Sequence, residues 1–289
     1  MGHELPYQLV AFDLDNTILH RGAMSKKTKH TLKELKRKGA INVAATGRHI
    51  SLIPDFIRYN RNIDYILCVT GASIFERKTR STTYLWQMTT QQAYLAIASC
   101  KSAGARLNLV TRERAYAEKA AFAAFIKSSA VKGQTREKSS LGQIWRLVKM
   151  MLVSSLMDDA AGYLEAHPNA IVEKIDAFFD RDEETAQAVR LLEEHGLFEI
   201  AQSPRYLEIT AKNCTKGNGL RWLSERLHLT KSDVIAFGDS GNDLSMLECA
   251  GLFVAMGNAE PAVLARAGRI APSVQDDGFS AVVRDVFSI

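Results

Sequence analysis

Two aspartates, Asp13 and Asp15, stand two residues apart at the end of the apolar run Leu9-Val10-Ala11-Phe12. Side chains alternate along a strand, so both project to one side if the strand continues that far. Carboxylates held together at the rim of an apolar core repel each other and resist desolvation. Taken alone they can also be read as solvated turn residues. A second acidic pair, Asp239 and Asp243, follows the apolar run Val234-Ile235-Ala236-Phe237 within Gly238-Asp239-Ser240-Gly241-Asn242-Asp243. Two further apolar runs end in small polar residues, one in Thr46-Gly47-Arg48 and one in Thr70-Gly71-Ala72. Four carboxylates converging at one rim need a hard cation, and oxygen ligands with room for water favour Mg²⁺. Lys216 supplies a fixed positive charge, while Thr46 and Gly47 offer a hydroxyl and close backbone N–H groups. Such a set suits a phosphoryl group, whose transfer depends on positioning and charge neutralisation.

The elements that must carry these residues follow from the pattern of the chain. Apolar runs starting at Leu9, Ile41 and Tyr65 alternate with a helix expected from Ser25 to Lys38 and a shorter one after it. That alternation predicts a parallel α/β sheet with right-handed crossovers, a Rossmann-like core whose ligands bind at the carboxyl ends of the strands. The pattern then changes. A hairpin is expected over residues 73–86, followed by helices at 91–102, 157–166 and 183–195. Strands are expected at 106–110, 114–117, 147–153 and 197–201, and residues 169–180 show no readable period. This block reads as an inserted α+β domain over residues 87–205, with the core formed by residues 1–86 and 206–289. The core then continues with a helix from Lys216 to Leu227, the strand at Val234, a helix carrying Leu244, Met246 and Leu247, and further elements to Phe287.

Composition bounds the class. The chain has 289 residues, 46% hydrophobic and 24% charged, which suits a folded protein of about two domains. No apolar run approaches the ~20 residues of a membrane span, and none of signal-peptide length precedes Asp13. Cys68, Cys100, Cys214 and Cys249 are scattered, which suggests neither a zinc site nor a disulfide framework and fits a cytoplasmic setting. The net charge is +5, and residues 101–149 hold eleven Lys/Arg against three Asp/Glu. Nucleic acid, an anionic substrate and a solvated basic face all remain open as readings of that surplus. His49, His195 and His228 read as core or surface residues, and Trp86, Trp145 and Trp222 as packing.

With these residues in place, the chain closely resembles the haloacid dehalogenase superfamily of phosphatases, in the Cof-like branch with a large C2-type cap. The resemblance rests on DLDNT (Asp13 to Thr17), ATGR (Ala45 to Arg48), TKG (Thr215 to Gly217), GDSGND (Gly238 to Asp243), VAMGNA (Val254 to Ala259) and DDGF (Asp276 to Phe279). It implies that Asp13 is the nucleophile of an aspartyl-phosphate and Asp15 the general acid and base. It implies that Thr46, Gly47, Arg48, Lys216 and Asn242 contact the phosphate or substrate, and that Asp13, Asp15, Asp239 and Asp243 form the Mg²⁺ site. The branch usually reads Asn-Gly-Ala where this chain has Thr70-Gly71-Ala72, and Gly where it has Asn16. The implied activity is Mg²⁺-dependent hydrolysis of a small phosphomonoester, such as a sugar phosphate or a phosphorylated cofactor. The alternatives are a sugar phosphomutase, or a regulatory or nucleic-acid-binding protein on the same fold. No membrane partner is expected, and a monomer is the default.

Overall fold

The computed structural model describes residues 5–124 and 155–289. The chain first forms strands β1 (Leu9–Phe12), β2 (Ile41–Ala45), β3 (Tyr65–Cys68), β4 (Ser73–Glu76) and β5 (Ser81–Tyr84). It then enters a second unit with β6 (Arg106–Thr111), β7 (Ala115–Glu118), β8 (Ser155–Met157), β9 (Val172–Phe178), β10 (Phe198–Ser203) and β11 (Tyr206–Ala211). It returns with β12 (Val234–Gly238), β13 (Leu252–Ala255) and β14 (Arg269–Ile270). The two compact units comprise Met1–Leu85 with Cys214–Ile289, and Trp86–Asn213. No helix among the described residues is long and apolar enough to cross a membrane.

The first unit is built on an eight-stranded sheet ordered β14-β13-β12-β1-β2-β3-β4-β5. Its strands are parallel from β14 to β3, and β4 and β5 add an antiparallel hairpin. All four residues of β1 are fully buried, as a strand covered on both faces requires. Phe12 pairs in register with Phe237 of β12 and Ala44 of β2, so three neighbouring strands end at one level. The ring of Phe279 meets Phe12 edge-on at 5.3 Å and Phe237 at 4.9 Å, which fixes the two central strand ends from the helix Gly278–Phe287. The helix Lys26–Arg37 is capped as expected: Ser25 Oγ accepts from Thr28 N at 2.9 Å, and Leu32 and Leu35 face the core. The helix expected at Leu244 is instead a run of 3₁₀ turns over Gly241–Glu248, with Met246 fully buried.

The second unit carries a six-stranded sheet ordered β10-β11-β9-β6-β7-β8, with helices Thr90–Ser102, Ala160–Ala166 and Asp182–His195. Two expectations need correction here. Residues 169–180, unreadable from the pattern, contain β9, a central strand pairing with both β6 and β11. The period is hidden because β9 buries charge: Lys174 lies 2.9 Å from Asp176 and 3.5 Å from Glu208, with the Tyr206 hydroxyl donating to both carboxylates. The strand at Tyr206 does not resume the core. It pairs antiparallel with β9 and β10, so the second unit extends to Asn213. The strand expected at 147–153 lies outside the described residues. Part of the basic surplus is paired within the unit: Lys101 with Glu118 at 2.6 Å, Arg106 with Asp180 at 2.8 Å, and Lys119 with Asp158.

Candidate active site

Asp13 follows β1 directly, and its backbone N–H donates to Phe237 O at 3.0 Å, continuing the β1–β12 pairing into the loop. Asp239 follows β12, and the Gly241–Glu248 turn brings Asp243 back over the strand end. Asp13, Asp239 and Asp243 are buried, with one carboxylate oxygen of each lying within 4.8 Å of the others. Lys216, at the first turn of the helix Lys216–Arg226, reaches into this group. Its Nζ donates to Oδ1 of Asp13 and to Oδ1 of Asp243, each at 2.7 Å. The other oxygen of Asp243 accepts from the backbone of Asp239 and of Ser240, both at 3.0 Å. Asp243 is therefore fixed on both sides, whereas among the described residues the Asp239 side chain is held by one bond, from Thr17 Oγ1 at 3.0 Å.

The close return of Asp243 depends on Gly238. A Cβ at that position would lie 2.4 Å from Asp243 Cβ, so no larger residue fits without moving the carboxylate.

Burial raises the affinity of these carboxyls for protons. Asp239 is pushed up to about 7, first by desolvation and then by Asp243, with Thr17 pulling the other way. Desolvation pushes Asp13 up as well, against the attraction of Lys216. Burial works against the Lys216 ammonium, but Asp13 and Asp243 outweigh it and hold its pKa above the ordinary lysine value. Fully ionised, the three carboxylates would outweigh the one ammonium by two charges. The donor set therefore fits one divalent cation by charge, by oxygen chemistry and by spacing.

Asp15 is not part of this group. Its side chain is 46% exposed, and both oxygens face Arg48: Nε to Oδ2 at 2.7 Å and Nη2 to Oδ1 at 2.6 Å. This departs from the expected placement of Asp15 among the metal carboxylates, while Arg48, expected on the phosphate or substrate, here pairs with Asp15. The strand ends at Phe12, so the alternation that would put Asp13 and Asp15 side by side stops before it reaches them.

Thr46 is buried after β2. Its N–H donates to Leu67 O at 2.9 Å, its O accepts from Thr70 N at 3.0 Å, and its Oγ1 accepts from Arg48 N at 3.2 Å. Gly47 lies half-buried in the same loop. The facing loop is strained: Val69 and Thr70 have φ of +49° and +57°, a region that non-glycine residues rarely adopt. Asn242, half-buried, accepts from Ser240 Oγ at 3.0 Å through Oδ1. Asn16 has φ +59°, a left-handed turn that asparagine tolerates. Thr17, quoted in the first motif without a role, is the residue sequence reasoning missed. Its signal was a hydroxyl four residues after the first aspartate, at a position the structure buries almost completely.

The chain is similar to known proteins over nearly its whole length. The profile of the haloacid dehalogenase-like hydrolases matches residues 10–283. YxeH of Bacillus subtilis strain 168, which carries phosphatase in its name, is 23% identical over 97% of this chain and 98% of its own. The 5-amino-6-(5-phospho-D-ribitylamino)uracil phosphatase YitU of the same organism is 39% identical, over 29% of this chain and 31% of its own. The solved structure of a sugar phosphatase of subclass IIB of this superfamily superposes with a TM-score of 0.78 at 22% identity, covering 98% of this chain and all of that one.

Proposed function

The chain belongs to the haloacid dehalogenase-like hydrolase family and is a phosphatase, and we propose that it hydrolyses small phosphomonoesters through an aspartyl-phosphate on Asp13. The observation that carries this reading is the buried group of Asp13, Asp239 and Asp243 tied by Lys216 at the strand ends. Once all three carboxyls are ionised, the excess of two negative charges away from water is tolerable only where a cation offsets it.

Asp13, Asp239 and Asp243 would hold Mg²⁺, which when bound neutralises charge between the carboxylates and the phosphate. Asp13 is a suitable nucleophile because its carboxylate needs no base once its charge is compensated. An Asp13 oxygen forms a bond to phosphorus while the ester P–O bond breaks, and Asp15 gives its proton to the departing alkoxide. Water then attacks phosphorus, Asp15 takes its proton, and the bond to Asp13 breaks to release inorganic phosphate. Lys216 holds Asp13 in place and lends charge to the phosphoryl oxygens. Thr46 accepts from Arg48 N, which leaves its O–H to donate to the phosphate, with Gly47 beside it. Asn242 would support the phosphate side.

The substrate class favoured is a phosphate ester of a polyhydroxylated chain. It is supported by relatives named for a phosphoribityl compound and for sugar phosphates. The four free cysteines suit a reducing, cytoplasmic setting.

A screen of sugar and polyol phosphates for phosphate release, with and without Mg²⁺, tests the reading. Asp13→Asn should abolish turnover while leaving the fold intact. Retention of more than about a hundredth of wild-type kcat, a barrier change under roughly 3 kcal/mol, would remove Asp13 as nucleophile.

A further inference from the structure

We propose that Arg48 is a positioning residue for Asp15: its guanidinium holds the acid–base carboxylate in register with the strand ends and does not bind the phosphate. The inference rests on the phosphatase reading above and deepens it.

The geometry gives the Arg48 guanidinium one fixed plane, with three of its five N–H groups donating. Each of its three side-chain nitrogens already donates: Nε and Nη2 to the two oxygens of Asp15, and Nη1 to Leu52 O at 3.2 Å. The contact to Leu52 O, at the end of the short Ile50–Leu52 turn, anchors the guanidinium plane independently of Asp15. The backbone of Arg48 is fixed too. Its N–H donates to Thr46 Oγ1 at 3.2 Å, and its carbonyl accepts from Val69 N at 3.0 Å. Those bonds tie it to the loops after β2 and β3. Because β1 and β2 are parallel neighbours with Phe12 opposite Ala44, the loops that follow them run side by side, and Asp15 meets Arg48 across that gap.

Stability is a poor explanation for such a contact. Half-exposed ion pairs contribute little to stability, because solvent screens them. Orientation is a better one. Asp15 lies on a loop after the strand has ended, half-exposed, and a two-point contact fixes both its torsion and its distance. Proton transfer to a leaving oxygen is sensitive to misplacement on that scale, by up to about a hundredfold for 1 Å. Lysine is one point charge and could attract Asp15 without setting the plane of its carboxylate.

The test compares wild type, Arg48→Ala and Arg48→Lys on phenyl phosphate and 4-nitrophenyl phosphate, with Mg²⁺. The two esters are nearly alike in shape, but phenolate leaves poorly without a proton and nitrophenolate leaves readily. Arg48→Ala is expected to lower the ratio of kcat for phenyl phosphate to kcat for 4-nitrophenyl phosphate at least tenfold, with KM for both within about twofold of wild type. Arg48→Lys should fall between wild type and alanine. In an Asp15→Ala background, Arg48→Ala should change the ratio no further, since the residue it positions has gone. A KM rise on both esters, or an equal kcat loss on both, would overturn the proposal and return Arg48 to substrate binding or to general support of the site. So would a further fall in the ratio in the Asp15→Ala background. Wild-type protein that releases phosphate from neither ester would overturn the phosphatase reading itself.

Discussion

Lys216 Nζ lies 2.7 Å from Asp13 Oδ1 with the lysine side chain 1% exposed, and the same nitrogen reaches Asp243 at the same distance. The ammonium is thus the structure's own counter-charge to two buried carboxylates. Breaking a buried pair by removing one partner is strongly destabilising, by about 3–5 kcal/mol, because the other charge stays buried. Lys216→Met should lower stability by that order in urea unfolding without Mg²⁺. Adding Asp13→Asn to the same protein should recover part of the loss. Additive losses from the two substitutions would show that the contact carries no coupling.

Asp239 has Thr17 as its side-chain hydrogen-bond donor, which leaves it the most available of the three carboxylates for a cation. Mg²⁺ should raise the unfolding free energy by about 2.7 kcal/mol at a hundred times its Kd. Asp239→Ala should lose that increment together with activity, while Thr17→Val should weaken Mg²⁺ binding to a smaller degree. Calorimetry showing unchanged Mg²⁺ affinity in Asp239→Ala would rule the residue out as a ligand.

Legibility of the sequence tracked how much each residue's role is local. The β1 and β12 strands were readable because strands buried on both faces are uniformly apolar, and the carboxylates at their ends stand out against that background. β9 was not readable, because Lys174 and Asp176 are buried through a partner, Glu208, thirty-odd positions away in sequence. The core was expected to resume at Tyr206, which instead belongs to the second unit, since strand composition does not name its neighbour. In the site, residue types pointed to Asp13, Asp239, Asp243 and Lys216. The pairing of Arg48 with Asp15 was hidden, because both residues lie in loops, whose side-chain directions follow no period.

Glu173 gives a pH dependence outside the site. It is 1% exposed, neither carboxylate oxygen has a hydrogen-bond partner among the described residues, and burial pushes its pKa up to about 7 from 4.5, with Arg112 opposing. The folded state therefore binds this proton more tightly than the unfolded state. Its stabilising contribution is fully present below about pH 4.5 and is lost as pH rises through about 7. Glu173→Gln should match wild type near pH 5 and exceed it at pH 8, by up to about 3 kcal/mol. Parallel urea curves for the two proteins, with a constant offset at both pH values, would contradict the buried-carboxyl account.

The last prediction concerns Gly238, which closes β12 just before Asp239. Its backbone is compatible with any residue as far as strand geometry goes, so what requires glycine is space. An added Cβ would stand 2.4 Å from Asp243 Cβ and 2.5 Å from its Cγ, well inside contact distance. Relief requires Asp243 to retreat, and Asp243 is bonded to Lys216 and to the Asp239 and Ser240 amides. Overpacking of this kind typically costs about 1–3 kcal/mol. Here the strain falls on the metal carboxylates themselves, so function should suffer more than folding. Gly238→Ala should retain a cooperative unfolding transition yet lose at least tenfold in Mg²⁺ affinity and in kcat/KM. Gly241→Ala, three residues on, serves as the comparison. A Cβ there meets nothing nearer than Glu260 Oε2 at 3.7 Å, so the added methyl should be accepted with little change. If both substitutions reduce Mg²⁺ affinity equally, the turn as a whole resists substitution and the close approach of Asp243 to the strand end is not what Gly238 provides.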